Sequence, residues 1–134
     1  NKDTKEGISK LLNSEIEHKV STRDQYIFEN DFTSYIQQCH VVLIANKNVE
    51  NSSGIVCHCL ANNKIVIAPN KGFFKEALEN YSAALLFDEN FTLKEAIEKA
   101  FYNFKQLQST EFDRDTFIKN NSSEKYAKTL LDSL

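Results

Sequence analysis

Short unbroken apolar runs recur along the middle of the chain and predict buried β-strands. They cover residues 41–45, 65–68 and 83–87. Continuous apolar character, rather than alternation, is typical of strands whose two faces are both covered. A further short strand is predicted near Tyr26, Ile27 and Phe28, because β-branched and aromatic residues favour strands.

Between and around these runs, apolar residues recur every three or four positions, which is the spacing of amphipathic helices. The predicted helices cover residues 3–14, 31–39, 53–62, 71–80, 92–108, 113–120 and 122–134. In the second of these helices we expect Phe32, Tyr35 and Ile36 to be buried.

Two of the predicted helices carry recognisable end signals. Thr92 and Glu95 form the Thr-x-x-Glu pattern of a capping box at the start of one helix. Asn63 suits the left-handed conformation that ends another, because asparagine tolerates it. The helix that begins at residue 92 carries four apolar side chains on one face, namely Leu93, Ile97, Phe101 and Phe104.

Strands that alternate with helices through short connections predict an α/β fold, with a Rossmann-like parallel sheet and helices on both faces. Residues 1–134 are interpreted as a single domain. Ligands of such sheets bind beyond the carboxyl ends of the strands, in the loops that lead into the helices. Here those loops are residues 46–52 and 69–72.

The charge balance argues against several classes of partner. Sixteen Lys and Arg residues against nineteen Asp and Glu residues give a net charge of −3, which offers no general attraction to nucleic acid or to an anionic membrane. No apolar run approaches the roughly 18–20 residues that span a bilayer, and no leader pattern is seen at residue 1. We therefore expect a cytoplasmic protein that binds no nucleic acid.

Three cysteines, Cys39, Cys57 and Cys59, raise the question of a disulfide or a metal site. An odd number at irregular spacing is a poor disulfide pattern. Cys57, His58 and Cys59 are consecutive, and consecutive helical side chains point about 100° apart, so they cannot converge on one ion. We expect reduced thiols, no metal and no cofactor.

The loop of residues 46–54 leaves a predicted buried strand and enters a helix. The free N–H groups of that helix would face the ligand-binding edge and suit a diphosphate. Small residues let a ligand approach the backbone at Ser52, Ser53 and Gly54, and the carboxylate of Glu50 can accept hydrogen bonds from sugar hydroxyls. An ordinary polar loop with a serine N-cap explains the same residues, so spacing alone leaves both interpretations open.

Residues 35–44, 50–54 and 60–68 together resemble a known family. Their order and spacing are similar to the C-terminal, nucleotide-sugar-binding domain of retaining glycosyltransferases with the GT-B fold, and particularly to glycosyltransferase family four. That family contains many bacterial enzymes that glycosylate polysaccharides and lipids. The resemblance covers roughly residues 35–76 and implies a hexosyltransferase of cell-envelope polysaccharide biosynthesis.

The family motif has two glutamates with seven residues between them, and the first falls on Glu50. The resemblance implies that Glu50 contacts the hydroxyls of the donor sugar. It also implies that backbone N–H groups reach the sugar and diphosphate from Asn51, Ser52, Ser53 and Gly54. The second glutamate holds the ribose in the family and falls on His58. His58 lies one helical turn beyond Gly54 and can still bond a ribose oxygen; a histidine satisfied within the core is the alternative.

A further family element, Gly-Gly-x-x-Glu, corresponds to residues 72–76. Phe73 replaces the second glycine, and its ring either stacks on the base or packs inward. Glu76 matches the family glutamate and is interpreted as structural.

In the family, an N-terminal domain binds the glycan or lipid acceptor, and a basic residue in the first strand–helix unit of the donor domain also holds the diphosphate. Residues 1–134 match neither part. We therefore expect an N-terminally truncated donor-binding half that binds a nucleotide-diphosphate sugar, is inactive alone, and contacts a membrane at most peripherally, through the missing half. The resemblance implies neither a metal nor a protein catalytic base.

Two alternatives remain open. The departures from the family pattern at His58 and Phe73 favour a non-catalytic, glycosyltransferase-like subunit or scaffold. A flavodoxin-like signalling or ligand-binding domain has the same alternation of elements, but it would normally show acidic or phosphate-binding residues after its first strand, and none is visible in this sequence.

Overall fold

The structure is a computed structural model, and it describes residues 25–45, 54–108 and 131–132. Helices and strands alternate in the order α1 (Glu29–Gln38), β1 (Val41–Leu43), α2 (Gly54–Ala61), β2 (Ile65–Pro69), α3 (Gly72–Leu78), β3 (Ala84–Phe87), α4 (Leu93–Tyr102) and α5 (Phe104–Gln108). The helices predicted at residues 3–14 and 113–120, most of the one at 122–134, and the loop at 46–52 lie outside the described residues.

The strands form a parallel three-stranded sheet in the order β1-β2-β3. Val42 pairs with Val66, and Ile67 pairs with Leu85. The predicted parallel pairing of the strands within residues 41–45 and 65–68 is therefore confirmed, and a strand is present within 83–87. The predicted burial holds for β2 but not for all of β1, where Leu43 is 47% exposed. β1 itself ends at Leu43, although the Ile44 N–H still donates to the Ile67 carbonyl at 2.8 Å.

The sheet is flanked by helices, which confirms the α/β class. β2 is buried at all five of its positions, so both faces of the central strand are covered. α2 connects β1 to β2, and α3 connects β2 to β3. The largest fully buried side chains join the helices to the sheet; they are Phe74, Ile65, Ile67, Leu78, Val56, Val66 and Cys59.

Local hydrogen bonds stop α2 where the sequence predicts. Asn63 has φ 52°, the left-handed value expected of it. The Lys64 N–H donates to the Cys59 carbonyl at 3.0 Å and the Asn63 N–H to the Leu60 carbonyl at 3.2 Å. These two bonds make a Schellman motif, which satisfies the last free carbonyls of the helix and turns the chain directly into β2.

Two expectations about the first described segment are wrong. The segment at Tyr26, Ile27 and Phe28 is not a strand, because Phe28 is the N-cap of α1 and its carbonyl accepts the Phe32 N–H at 2.9 Å. Tyr35 is exposed, whereas Ile36 is buried and Phe32 is half-buried. α1 therefore contacts the core through a narrower stripe than its sequence suggests.

The helix predicted at residues 92–108 is divided in two. The capping box is present, with the Glu95 N–H donating to Thr92 Oγ1 at 3.3 Å and the Thr92 N–H donating to Glu95 Oε2 at 2.7 Å. Asn103 then leaves the helical backbone region, with φ −106° and ψ 20°, and ends α4. Asparagine disfavours helix interiors because its side chain competes with the backbone for hydrogen bonds.

The small residues of α4, not its large ones, are buried. Ala96 and Ala100 are buried, while Ile97 and Phe101 are 46% and 77% exposed. Together with Leu43 these two large side chains border an apolar groove beside β1. The shared apolar face of α4 therefore remains largely open within the described part of the chain.

Candidate functional site

A cleft of about 660 Å³ opens at the carboxyl edge of the sheet. β2 and β3 contribute their last residues, Pro69 and Phe87, and Ala45 contributes from two residues beyond the end of β1. Its lining residues are Ala45, Pro69, Asn70, Lys71, Phe87, Asp88, Glu89, Asn90 and Leu93. This is the position where parallel α/β sheets bind ligands, because the strand-to-helix loops converge there.

The cleft combines an apolar floor with a polar rim. Pro69 is buried and Phe87 is half-buried at the ends of their strands. The rim carries the amide and charged side chains of residues 70, 71 and 88–90. An apolar surface with a few convergent polar groups is the usual composition of a small-molecule site.

Asp88 joins the two loops on the β2 and β3 side of the cleft. Its Oδ2 accepts a hydrogen bond from Asn70 Nδ2 at 2.7 Å, and its Oδ1 accepts the N–H groups of Asn90 at 2.8 Å and Phe91 at 3.0 Å. The bond from Asn70 and those from the Phe91 and Asn90 backbones hold the pKa of the Asp88 carboxyl below its usual range. An ionised carboxylate therefore links the two loops.

The turn after β2 is fixed by its backbone. The Asn70 N–H donates to the Phe87 carbonyl at 2.8 Å, and the Lys71 N–H donates to the Pro69 carbonyl at 2.9 Å. Gly72 follows with φ 53°, a left-handed value that side chains with a Cβ rarely adopt. The glycine at this position lets the chain enter α3 directly beside the cleft.

Gly54 is the described residue of the predicted phosphate loop. It is exposed at the first position of α2, and a Cβ built on it would meet nothing within 4 Å. The other loop residues, Glu50, Asn51, Ser52 and Ser53, lie outside the described residues. Gly54 is not one of the described residues that line the cleft.

His58 lies one turn beyond Gly54 on α2 and is half-buried. Its ring contacts Phe32 of α1 edge to face, with 5.3 Å between the ring centroids. Its carbonyl accepts a hydrogen bond from Asn62 Nδ2 at 2.8 Å. The imidazole therefore helps to join α1 to α2. It is half-buried rather than enclosed in the core, and its predicted contact with ribose stays a prediction.

The two phenylalanines after Gly72 have different environments. Phe74 is fully buried, whereas Phe73 is half-buried and packs against the rim of the core, with 6.0 Å between the two ring centroids. This agrees with the inward-packing alternative for Phe73. Glu76 is exposed on α3.

The cysteines differ in exposure as well. Cys59 is fully buried, Cys39 is half-buried and Cys57 is exposed. Burial, with a smaller contribution from Cys39, raises the pKa of the Cys59 thiol to about 12, so this thiol is protonated at neutral pH. Within residues 25–45, 54–108 and 131–132, no group of three metal-ligating side chains could hold an ion.

Sequence reasoning identified the loop after β2 but not the loop after β3. Asp88, Glu89 and Asn90 directly follow a predicted buried strand, and that position was the available signal. An ordinary polar turn before a capping box explains the same three residues equally well. The sequence also carries no local signal for the contact between Asp88 and Asn70.

Comparisons with protein-family models, with curated proteins and with solved structures find no match to this chain. None of the helices in the described ranges combines the length and apolar character needed to cross a bilayer.

Proposed function

We propose that this chain is the donor-binding part of a retaining glycosyltransferase of the GT-B type. It binds a nucleotide-diphosphate sugar, and a further N-terminal domain brings the glycan or lipid acceptor to the sugar. The reaction is hexosyl transfer in the cytoplasm, in cell-envelope polysaccharide biosynthesis. The proposal rests on the sequence resemblance and on the geometry of the carboxyl edge.

The observation that carries the proposal is the cleft at the carboxyl ends of the parallel strands, lined by the last residues of β2 and β3 and by Ala45. Its apolar floor suits the flat faces of a base or sugar, and its amide and carboxylate rim suits hydroxyl groups. The segment with the family motif begins at Glu50, five positions after the lining residue Ala45, and continues into α2, which begins at Gly54. The motif therefore belongs to the connection from β1 to α2, and such strand-to-helix connections bind the ligands of parallel sheets.

Within this proposal, different groups of the protein contact different parts of the donor. Glu50 accepts hydrogen bonds from the hydroxyls of the hexose, and the backbone N–H groups of residues 51–54 hold the sugar and diphosphate. His58 contacts a ribose oxygen. Negative charge develops on the diphosphate as the sugar leaves, so N–H donors fixed at that position stabilise the transition state. No metal and no protein base is required.

The chain alone is expected to show no transferase activity. Transfer needs the donor and the acceptor to be held together in one closed cleft. In this proposal, residues 1–134 bind only the donor. Donor binding, by contrast, is expected of residues 1–134 by themselves and is the property to measure.

The test compares Glu50→Ala with the matched control Glu76→Ala, which removes an exposed glutamate of α3. Titration calorimetry with UDP-, GDP- and ADP-linked sugars measures donor affinity. Loss of a hydrogen bond to a charged group costs about 1.5–3 kcal/mol, so Glu50→Ala should weaken the preferred donor roughly ten- to a hundredfold. His58→Ala should weaken it less, because water can replace an exposed ribose contact.

Folding of each variant is checked by thermal melting. Equal donor affinity in a folded Glu50→Ala chain would exclude the assigned role of Glu50. Failure of the wild-type chain to bind any of these donors would contradict the proposed function as a whole.

A second candidate is a non-catalytic, glycosyltransferase-like subunit or scaffold. The contact of the His58 ring with Phe32 favours it, because an imidazole used for packing is less available to a ribose. The test measures the donor affinity of Glu50→Ala and His58→Ala in a complex that contains the N-terminal domain. Unchanged donor affinity in both variants would support this candidate.

A further inference from the structure

One lysine, Lys71, is among the described residues that line the cleft at the carboxyl edge. Among its lining residues Lys71 carries the positive charge, while Asp88 and Glu89 carry negative charges. Lys71 is exposed, and across the described ranges no ion pair or hydrogen bond engages its ammonium group. Its charge is therefore available to a ligand.

The backbone on either side of Lys71 is fixed. Asn70 is bound twice to the end of β3, through its N–H to the Phe87 carbonyl at 2.8 Å and through Nδ2 to Asp88 Oδ2 at 2.7 Å. On the other side, Gly72 holds its left-handed conformation at the start of α3. The flexible lysine side chain therefore extends from a well-defined point on the rim of the cleft.

Asp88 does not neutralise Lys71 by direct pairing. Its two oxygens accept hydrogen bonds from Asn70, Asn90 and Phe91, all of which are neutral donors. Its carboxylate is thus committed to joining the two loops, and within the described part of the chain it forms no ion pair with the Lys71 ammonium group.

We propose that Lys71 is the cationic contact for the diphosphate of the nucleotide sugar, and that Asn70 and Asp88 are positioning residues for it. This inference rests on the proposed function. An ammonium group is a compact point charge with three donors and suits phosphate oxygens. The resemblance assigns the diphosphate a basic residue in a strand–helix unit that residues 1–134 do not match, and Lys71 supplies positive charge from a different loop.

The experiment compares Lys71→Gln with Lys75→Gln in the full 134-residue chain. Lys75 is exposed one turn further along α3 and does not line the cleft, so both variants change the net charge equally. Affinities are measured for UDP, GDP, ADP and inorganic pyrophosphate. We expect Lys71→Gln to lower the affinity for every diphosphate that the wild-type chain binds by about ten- to a hundredfold. Lys75→Gln should change these affinities less than about threefold.

The positioning role is tested with a double-mutant cycle. Asn70→Ala removes the side-chain contact with Asp88 and should weaken diphosphate binding when Lys71 is present. In the Lys71→Gln background the same change should have almost no further effect, because the residue that it positions is already lost. Loss of stability alone would lower affinity equally in both backgrounds.

The outcomes separate the two proposals. Equal binding of diphosphates by wild type and Lys71→Gln overturns the role of Lys71 and leaves the proposed function standing. Equal weakening by Lys71→Gln and Lys75→Gln also overturns it, because the effect is then general electrostatics. If the folded wild-type chain binds neither these diphosphates nor any nucleotide sugar, both proposals are wrong.

Discussion

Tyr81 shows how single buried polar groups are accommodated in this domain. Its side chain is 5% exposed, and its hydroxyl donates to the Lys64 carbonyl at 2.7 Å. Burial, and secondarily the neighbouring Cys59, raises the pKa of Tyr81 to about 12. The hydroxyl therefore stays protonated at neutral pH, and its bond connects the segment before β3 with the residue that precedes β2.

Tyr81→Phe should lower the free energy of unfolding by about 1–3 kcal/mol, because it removes one donor from the partly buried Lys64 carbonyl and leaves the packing unchanged. Urea unfolding followed by circular dichroism measures the difference. Tyr102→Phe is the control, since Tyr102 is 80% exposed and the same deletion there should change stability by less than about 0.5 kcal/mol. Equal stability of wild type and Tyr81→Phe would show that the bond contributes nothing.

The residue scale also marks a limit of sequence reading. Phe73 and Phe74 are adjacent and identical in type, and only the three-dimensional arrangement shows that Phe74 fills the core. The role of His58 could likewise not be decided from spacing, because its partner Phe32 lies 26 positions earlier, in α1. Contacts between distant elements leave no local signal.

At the scale of elements, the connection from β3 to α4 is organised by two carboxylates. Asp88 accepts hydrogen bonds from Asn70, Phe91 and Asn90. Glu95 accepts one hydrogen bond from the Thr92 N–H and another from the Thr92 hydroxyl. These bonds hold both carboxyl pKa values below their usual range. The loop beside the cleft therefore depends on two ionised groups.

This loop should weaken in acid. In the unfolded chain these carboxyl groups have pKa values of about 3.9 for Asp and 4.3 for Glu. A carboxyl group whose pKa is lower in the folded state stabilises the fold, and this stabilisation is fully present at pH values above the unfolded pKa. The contribution is lost as pH falls through the lower folded pKa. Asp88→Asn combined with Glu95→Gln should therefore destabilise the chain at pH 7, and the difference from wild type should shrink as pH drops below about 4.

Thermal unfolding between pH 7 and pH 2.5 measures this difference. Glu76→Gln serves as the control, because Glu76 is an exposed α3 carboxylate whose side chain forms no hydrogen bond within the described ranges. A difference between the double variant and wild type that is constant across the whole pH range would contradict the account.

Elements were predictable where one local pattern dominated. Unbroken apolar runs indicated all three strands, and Thr92 with Glu95 indicated the start of α4. The failures have physical causes. Residues 26–28 favour strand geometry locally, but Phe28 begins α1 instead and no neighbouring strand pairs with it in the described sheet. The break at Asn103 depends on one backbone conformation that apolar spacing does not encode.

For the whole molecule, a parallel sheet with neighbouring strands at residues 41–45 and 65–68 could be predicted from the sequence, but the composition of the cleft could not. Alternation of strands and helices required a parallel sheet, and a parallel sheet places its strand-to-helix loops at one edge. Which side chains meet at that edge depends on register. Pro69 pairs with Phe87, and this register brings Asn70 next to Asp88.

The central claim is that a nucleotide sugar binds at this carboxyl edge, and amide chemical shifts of the ¹⁵N-labelled chain test it most directly. During titration with UDP-glucose, GDP-mannose and ADP-glucose, at least one donor should shift the resonances of Ala45, Gly54, residues 70–72 and residues 88–90. Resonances at the opposite edge, such as those of His40 and Lys64, should stay in place. No shifts at millimolar concentrations of all three donors, or shifts confined to the apolar groove beside β1, would contradict the account.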